Sequence, residues 1–429
     1  MKPSPVIALI IGFSALPTPA FAYIDPMAGS AILYLLFGLL SAIWFALGSA
    51  KQRLIMLLKG QNSAAISTFE RDNVVFYSEG AQYWSVFEPV ISALAKRKCH
   101  TIYLTADKGD PGLAYRSEYL TAEYIGPVER SFAYINRIKA PLVVMTTPQI
   151  DIMALRRSKD VKHYAYIFHA PTDAHTYRKF AFDYFDSVFC SGEHQINSIR
   201  ALERKRKLPP KRLYRTGLTY FDFMAKEIDG TAAVSKSTPG PVVLIAPTWQ
   251  EHSLLHRAGP DLLERLMSAG YEVILRPHPQ TYVSYPKLIR EIERTHADDP
   301  RFSIDRQPQG LESFAKADIM LSDLSGVVFD FTFFYRKPVI MLDFPFSGMG
   351  TEATDIEHPM WDLEARHTVG HLINEDQLAD IPSLVEKVLK EHRPAALDEF
   401  IETALYNFKH AGEPTARELT RLLAEQNGG

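Results

Sequence analysis

Two short stretches of this sequence carry residue types suited to holding phosphate. The first is LRPHP, Leu275 to Pro279, which ends an apolar run. Pro277 and Pro279 each remove a backbone donor and fix a φ angle, so the side chains of Arg276 and His278 keep little torsional freedom. A guanidinium binds phosphate oxygens two at a time, and an imidazole can hydrogen-bond a departing phosphate or protonate it. The second is LSDLSGVVFDF, Leu321 to Phe331, which runs through Ser322, Asp323, Ser325 and Gly326 into a strongly apolar stretch. Hydroxyls and a glycine where a strand turns into a helix leave backbone amides beside the positive end of a helix dipole, a ready anion site. The same residues also make ordinary rigid turns and helix caps. What favours function is that the two turns follow consecutive strands of one half, so both can reach a single diphosphate.

A third stretch, YIFHAPTDAHTY, places His169, Asp173 and His175 after another apolar run. A histidine at the carboxyl end of a strand can take a proton from an incoming hydroxyl, and His169 is assigned that role by position. Asp173 and His175 are candidate residues on the acceptor side. No metal is expected: His169 and His175 lie six apart, with no firm third ligand and no cysteine pair.

The elements that position these residues follow from the apolar pattern. From residue 73 short apolar runs (NVVFYSEG, HTIYLTAD, PLVVMTT, HYAYIFHA, SVFCSG) alternate with amphipathic stretches such as SVFEPVISALAKRK and HQINSIRALERKRK. That spacing predicts parallel strands covered by helices on both faces. The pattern breaks at DGTAAVSKSTPGP, a linker, and restarts with VVLIAPTW, EVILRPHP, ADIMLSD and KPVIMLDF. The fold class is therefore α/β, with two Rossmann-like doubly wound domains at 70–228 and 240–380 and closing helices at 381–429. Ligands in such a pair sit in the cleft outside the carboxyl ends of the strands.

Composition narrows the function. With 429 residues, 46% of them hydrophobic, the chain can build two cores, and a formal charge of −3 argues against nucleic acid as a partner. Two cysteines, Cys99 and Cys190, are too few for a disulfide framework and fit a reducing compartment. Residues 1–22 resemble a secretory signal peptide. Gly29 to Ala50 carries no charge and has the length of a transmembrane helix, although a buried core helix reads similarly. Lys51, Arg53 and Lys59 follow it while Asp25 precedes it, which by the positive-inside rule predicts a single-pass inner-membrane protein with its catalytic part in the cytoplasm.

These pieces together resemble the CDP-glycerol glycerophosphotransferase family, the teichoic-acid type glycerol- and ribitol-phosphate transferases of GT-B fold. The resemblance rests on FHAP (168–171), YRTGLTYFD (214–222), IAPTWQ (245–250), LRPHP (275–279) and LSDLSGVVFDF (321–331), in the family's order. After His169 the family usually has a glycine and a TPLK-like continuation, where this chain has Ala170, Pro171, Thr172 and Asp173. The resemblance implies a membrane-associated transferase that needs no cofactor. It would move glycerol phosphate or ribitol phosphate from a CDP-alcohol to a lipid-linked or polymeric acceptor of the cell envelope and release CMP. It further implies that Arg276, His278, Ser322, Asp323, Ser325 and Gly326 hold the diphosphate and that His169 is the base. A GT-B glycosyltransferase using a nucleotide sugar and a non-catalytic membrane-anchored scaffold are the other readings of the same architecture.

Overall fold

Two parallel sheets carry the molecule. The computed structural model describes residues 68–70, 72–230, 240–249, 251–307 and 309–428. The signal-like segment 1–22 and the expected transmembrane helix 29–50 lie outside the described residues. Among the described residues no helix is long and apolar enough to cross a membrane.

The first sheet contains β1 (Val74–Ser78), β2 (Thr101–Thr105), β3 (Leu120–Tyr124), β4 (Ala140–Met145), β5 (Val161–Ile167), β6 (Ser187–Cys190) and β7 (Arg212–Arg215). The second contains β8 (Val242–Ile245), β9 (Glu272–Leu275), β10 (Phe302–Ile304), β11 (Ile319–Ser322), β12 (Val339–Leu342) and β13 (His371–Ile373). Their orders are β3-β2-β1-β4-β5-β6-β7 and β10-β9-β8-β11-β12-β13, with every pair parallel. Central strands such as VVFYS, VVLI and VIML are buried along their whole length, which is why they are apolar without alternation. The edge strands LTAEY, RLYR and FSI are only partly covered and mix polar with apolar residues. In both sheets the direction of winding reverses at the first strand, between β1 and β4 and between β8 and β11, so a crevice opens at each carboxyl edge. The turns singled out in the sequence leave β5, β9 and β11 at those edges.

The halves are joined by more than the linker at 231–239, which lies outside the described residues. Phe221 of the first half packs edge-on against Phe333 and Phe334 of the second, at centroid distances of 6.0 and 5.4 Å. After β12 the chain crosses back as a strap along the first half. Lys179 N donates to Gly350 O (3.2 Å), and Glu352 N to Tyr177 O (2.8 Å). Glu352 is fully buried, and its carboxylate accepts the Ala181 N–H (2.7 Å) and meets the guanidinium of Arg206. Arg206 also binds Asp183 (2.5 Å) and Asp355 (2.8 Å). The terminal helix Gly412–Asn427 returns to the first sheet too. Asp222 accepts the N–H groups of Ala411 and Gly412 at 2.8 and 2.7 Å, and Leu419 and Leu422 sink beside Val74, Phe76 and Phe87.

Arg206→Met should destabilise the protein by roughly 3–5 kcal/mol, because Glu352 stays buried without its cation. Denaturant unfolding checks this, and adding Glu352→Gln should restore most of the loss.

Candidate active site

The turns after β9 and β11 meet, although these strands are not the consecutive pair expected: β10 comes between them in the chain and β8 in the sheet. Arg276, Pro277 and His278 from the first, and Ser325 and Val327 from the second, line one cavity of about 340 Å³ floored by Pro247. His278 caps the short helix Pro279–Ser284: its Nδ1 accepts the Gln280 N–H at 3.1 Å. That bond places the proton of the neutral ring on Nε2, so the histidine offers the cavity a donor. Partial burial pushes its pKa down, which keeps the ring neutral near pH 7.

Ser325 and Gly326 open the helix Val327–Tyr335, and no side chain caps that helix. Val328 N and Phe329 N already turn back to Ser325 O (3.3 Å) and Gly326 O (3.1 Å), and the positive end of the dipole meets the cavity where Ser325 and Val327 line it. Arg276 also lines it, but its guanidinium is anchored, with Nη1 donating to Asp305 (2.8 Å) and to Gln307 O (2.6 Å). A Cβ on Gly310 would come within 2.7 Å of that guanidinium, so the glycine, at φ +68°, is what lets the arginine lie there.

Two residues expected on the diphosphate are placed elsewhere. Ser322 is fully buried and donates to Ala246 O (2.6 Å). The Asp323 carboxylate, also fully buried, accepts the N–H groups of Thr248 and Leu254 at 2.8 Å each. Both hold the loop after β8 in place and so shape the cavity wall without touching its contents. Deeper in the same helix, burial raises the Asp330 carboxyl to about 7. It accepts from Tyr220 OH of the first half at 3.3 Å.

On the first half His169 ends β5, and its Nδ1 lies 3.0 Å from Thr146 Oγ1 at the end of β4. Tyr83 and Tyr177 pack edge-on around the ring at 5.5 and 5.9 Å. Burial lowers the His169 pKa to about 4, so the ring is neutral throughout the physiological range. The loop that follows is clamped by the helix Glu193–Arg206: His194 Nε2 bonds Pro171 O (2.8 Å) and Gln195 Nε2 bonds Thr172 O (2.9 Å). A Cβ on Gly326 would stand 3.7 Å from Thr172 Cγ2, so the His169 loop and the Ser325 turn face each other across the cleft. Asp173 and His175, expected on the acceptor side, are instead buried where the strap crosses. The Asp173 carboxylate, fully buried, accepts from Ala174 N (2.7 Å), Ser198 Oγ (2.6 Å) and Trp361 N (3.1 Å), and its burial takes it out of reach of an acceptor.

Tyr282 and Arg306 also line the donor cavity and were not anticipated. Arg306 lies just past β10, whose three half-exposed residues give no strand signal. Thr146 and Glu79 follow β4 and β1 at the same carboxyl edge as His169. Burial raises the Glu79 carboxyl, and its place at the end of the NVVFYSEG run was the available cue.

Two doubly wound halves facing each other, with an anion cradle on the second and a neutral histidine on the first, define a GT-B-like transferase that works on a phosphate-bearing donor. The family model for CDP-glycerol:poly(glycerophosphate) glycerophosphotransferase matches residues 62–345, and the chain belongs to that family, as its motifs suggested. Among solved structures, the wall teichoic acid polymerase TagF, soaked with CDPG, is 14% identical, with TM-score 0.51 and coverage of 83% of this chain and 88% of its own. UDP-GlcNAc 2-epimerase from Methanocaldococcus jannaschii is 14% identical, with TM-score 0.53 over 81% of this chain and 99% of its own. MnaA from S. aureus, with UDP, is 12% identical, with TM-score 0.53 over 83% and 97%. These likenesses speak for the fold. No curated protein sequence matches the chain.

The stability advantage of Asp330→Asn over wild type should grow from pH 5 to pH 8. The folded pKa lies above the unfolded value, so the native carboxyl loses stability as pH rises from about 4 through 7, and the amide does not. Thermal midpoints at the two pH values check the sign.

Proposed function

We propose that this transferase moves glycerol phosphate, or a related polyol phosphate, from a CDP-alcohol to an acceptor hydroxyl of a cell-envelope polymer or lipid-linked glycan. The observation that carries this reading is the shared cavity: His278 and Ser325 line the same 340 Å³ space beside an uncapped helix N-terminus. A neighbouring cavity of about 630 Å³ shares Asp305, Arg306 and Gln307 with it, which gives room for a nucleoside as well as its phosphates.

In the reaction the acceptor oxygen bonds to the β-phosphorus as the bridging P–O bond breaks and CMP leaves with the bridging oxygen. Charge grows on the phosphates during that step. The fixed amides of the Val327–Tyr335 helix and the Nε2–H of His278 stabilise it without reorganising, which is where most of the rate advantage of such transfers lies. His169 takes the acceptor proton. With Nδ1–H donating to Thr146 Oγ1, its Nε2 keeps the lone pair a general base needs. The donor side needs no resident cofactor, since the neutralising groups belong to the chain. The apolar run 29–50 would hold the cytoplasmic domains at the inner membrane, near the acceptor.

With CDP-glycerol as donor, His278→Ala should abolish CMP release and weaken CDP binding. His169→Ala should slow turnover about 10²- to 10⁴-fold while CDP still binds. Release of UDP from a nucleotide sugar in place of CMP from CDP-glycerol or CDP-ribitol would overturn the reading. Because the His169 pKa is about 4, the acid limb of kcat/KM should fall near there and well below the usual 6.5 of a histidine. A pH–rate profile measures it.

A further inference from the structure

Under the strap, three side chains with metal-ligating atoms converge. Asp173 and His175 come from the loop after β5 in the first half, and His358 from the strap of the second. One ligand atom from each lies within 4.8 Å of the others. His175 is 3% exposed, and its Nε2 faces the carbonyl of His358 at 3.1 Å. A carbonyl only accepts, so Nε2 carries the proton of the neutral ring. The lone pair on Nδ1 then points at Asp173 Oδ2, 3.0 Å away, and Nδ1 has no partner in hydrogen-bond geometry.

His358 repeats the pattern. Its Nδ1 faces the carbonyl of Pro359 at 3.0 Å, which makes Nδ1 the donor. Its Nε2 lies 3.2 Å from Ser198 Oγ, and the single proton of that hydroxyl already goes to Asp173 Oδ1 at 2.6 Å. Two imidazole lone pairs and a carboxylate therefore meet, and either a proton between His175 and Asp173 or a cation sits among them. Two imidazolium rings with centroids 5.1 Å apart at a buried site would repel each other and lose their hydration. One divalent ion meets the need with a single charge centre. Histidines that each give their far N–H to a backbone carbonyl have the tautomer and outer partner that metal-binding imidazoles have. His358 also lines a solvent-open cavity of about 480 Å³ beside Asp355 and Glu357, a route for an ion from outside.

We propose that Asp173, His175 and His358 bind a divalent ion of the zinc class, which pins the strap of the second half to the first. Two nitrogens and one carboxylate oxygen are a donor set such an ion accepts, with Ser198 or a water as fourth ligand. The ion is structural, and the site lies apart from the donor cavity and from the proposed base. The inference stands independently of the substrate assigned above.

The test uses the full chain in detergent. Zinc retained after desalting is measured by mass spectrometry, and the unfolding midpoint is followed with a chelator and with added zinc chloride alone. Stoichiometric zinc is expected, with a midpoint several degrees higher at free zinc about 100-fold above its Kd than in chelator. His358→Ala should retain less than about a tenth of the zinc, as loss of one of three protein ligands implies. His358→Cys should bind zinc again, since a thiolate ligates zinc but cannot stand in for an imidazolium. A wild-type midpoint that ignores zinc, or zinc held equally well by His358→Ala, would overturn the proposal.

Discussion

Glu352 is satisfied from one side only. It belongs to the second half, yet its carboxylate finds its partners, the Ala181 amide and the Arg206 guanidinium, on the first. A carboxylate at full burial is costly unless it is paired and hydrogen-bonded. Opening the strap would strip Glu352 and Asp355 of their common cation at once. The relative placement of the halves thus rests on this junction. On that placement rests the approach of the His169 loop to the Ser325 turn, across a gap between Thr172 and Gly326 that one added methyl would fill.

Within the donor cavity, charge is distributed more evenly than a count of basic residues implies. Arg276 meets Asp305, and Arg306 meets Glu293. What remains directed into the cavity is mainly dipolar: the start of a helix and a neutral imidazole N–H. Fixed dipoles bind an anion without first shedding a tightly held counter-charge, and they favour charge that develops late over charge already present. The buried carboxylate of Asp323 takes part indirectly, by fastening the loop after β8 to the turn after β11.

The central strands, the two halves and the meeting of His278 with Ser325 were legible because each depends on local pattern. Apolar runs without alternation mark strands covered on both sides, and the succession of strands determines which turns share an edge. The edge strands β3, β7 and β10 escaped because partial exposure removes that pattern, and Arg306 went with them. Ser322, Asp323, Asp173 and His175 have the right chemistry for a site, but their partners lie far along the chain. Thr248 and Leu254 precede Asp323 by some seventy residues, and Trp361 follows Asp173 by 188. No spacing rule anticipates such pairings. The altered residues after His169 fit this picture, since that loop is clamped by His194 and Gln195 on one side and covered by the strap on the other.

The terminal helix bears on how the chain is made. Leu419 and Leu422 belong to the same buried cluster as Val74 and Phe76, so the first half is a discontinuous domain whose last wall is synthesised after the second half. Translation proceeds from the amino terminus, and a core missing one face exposes the apolar surface that face would cover. The first sheet therefore cannot close its core while the second half is being made: it waits, partly uncovered, until Leu419 and Leu422 have left the exit tunnel.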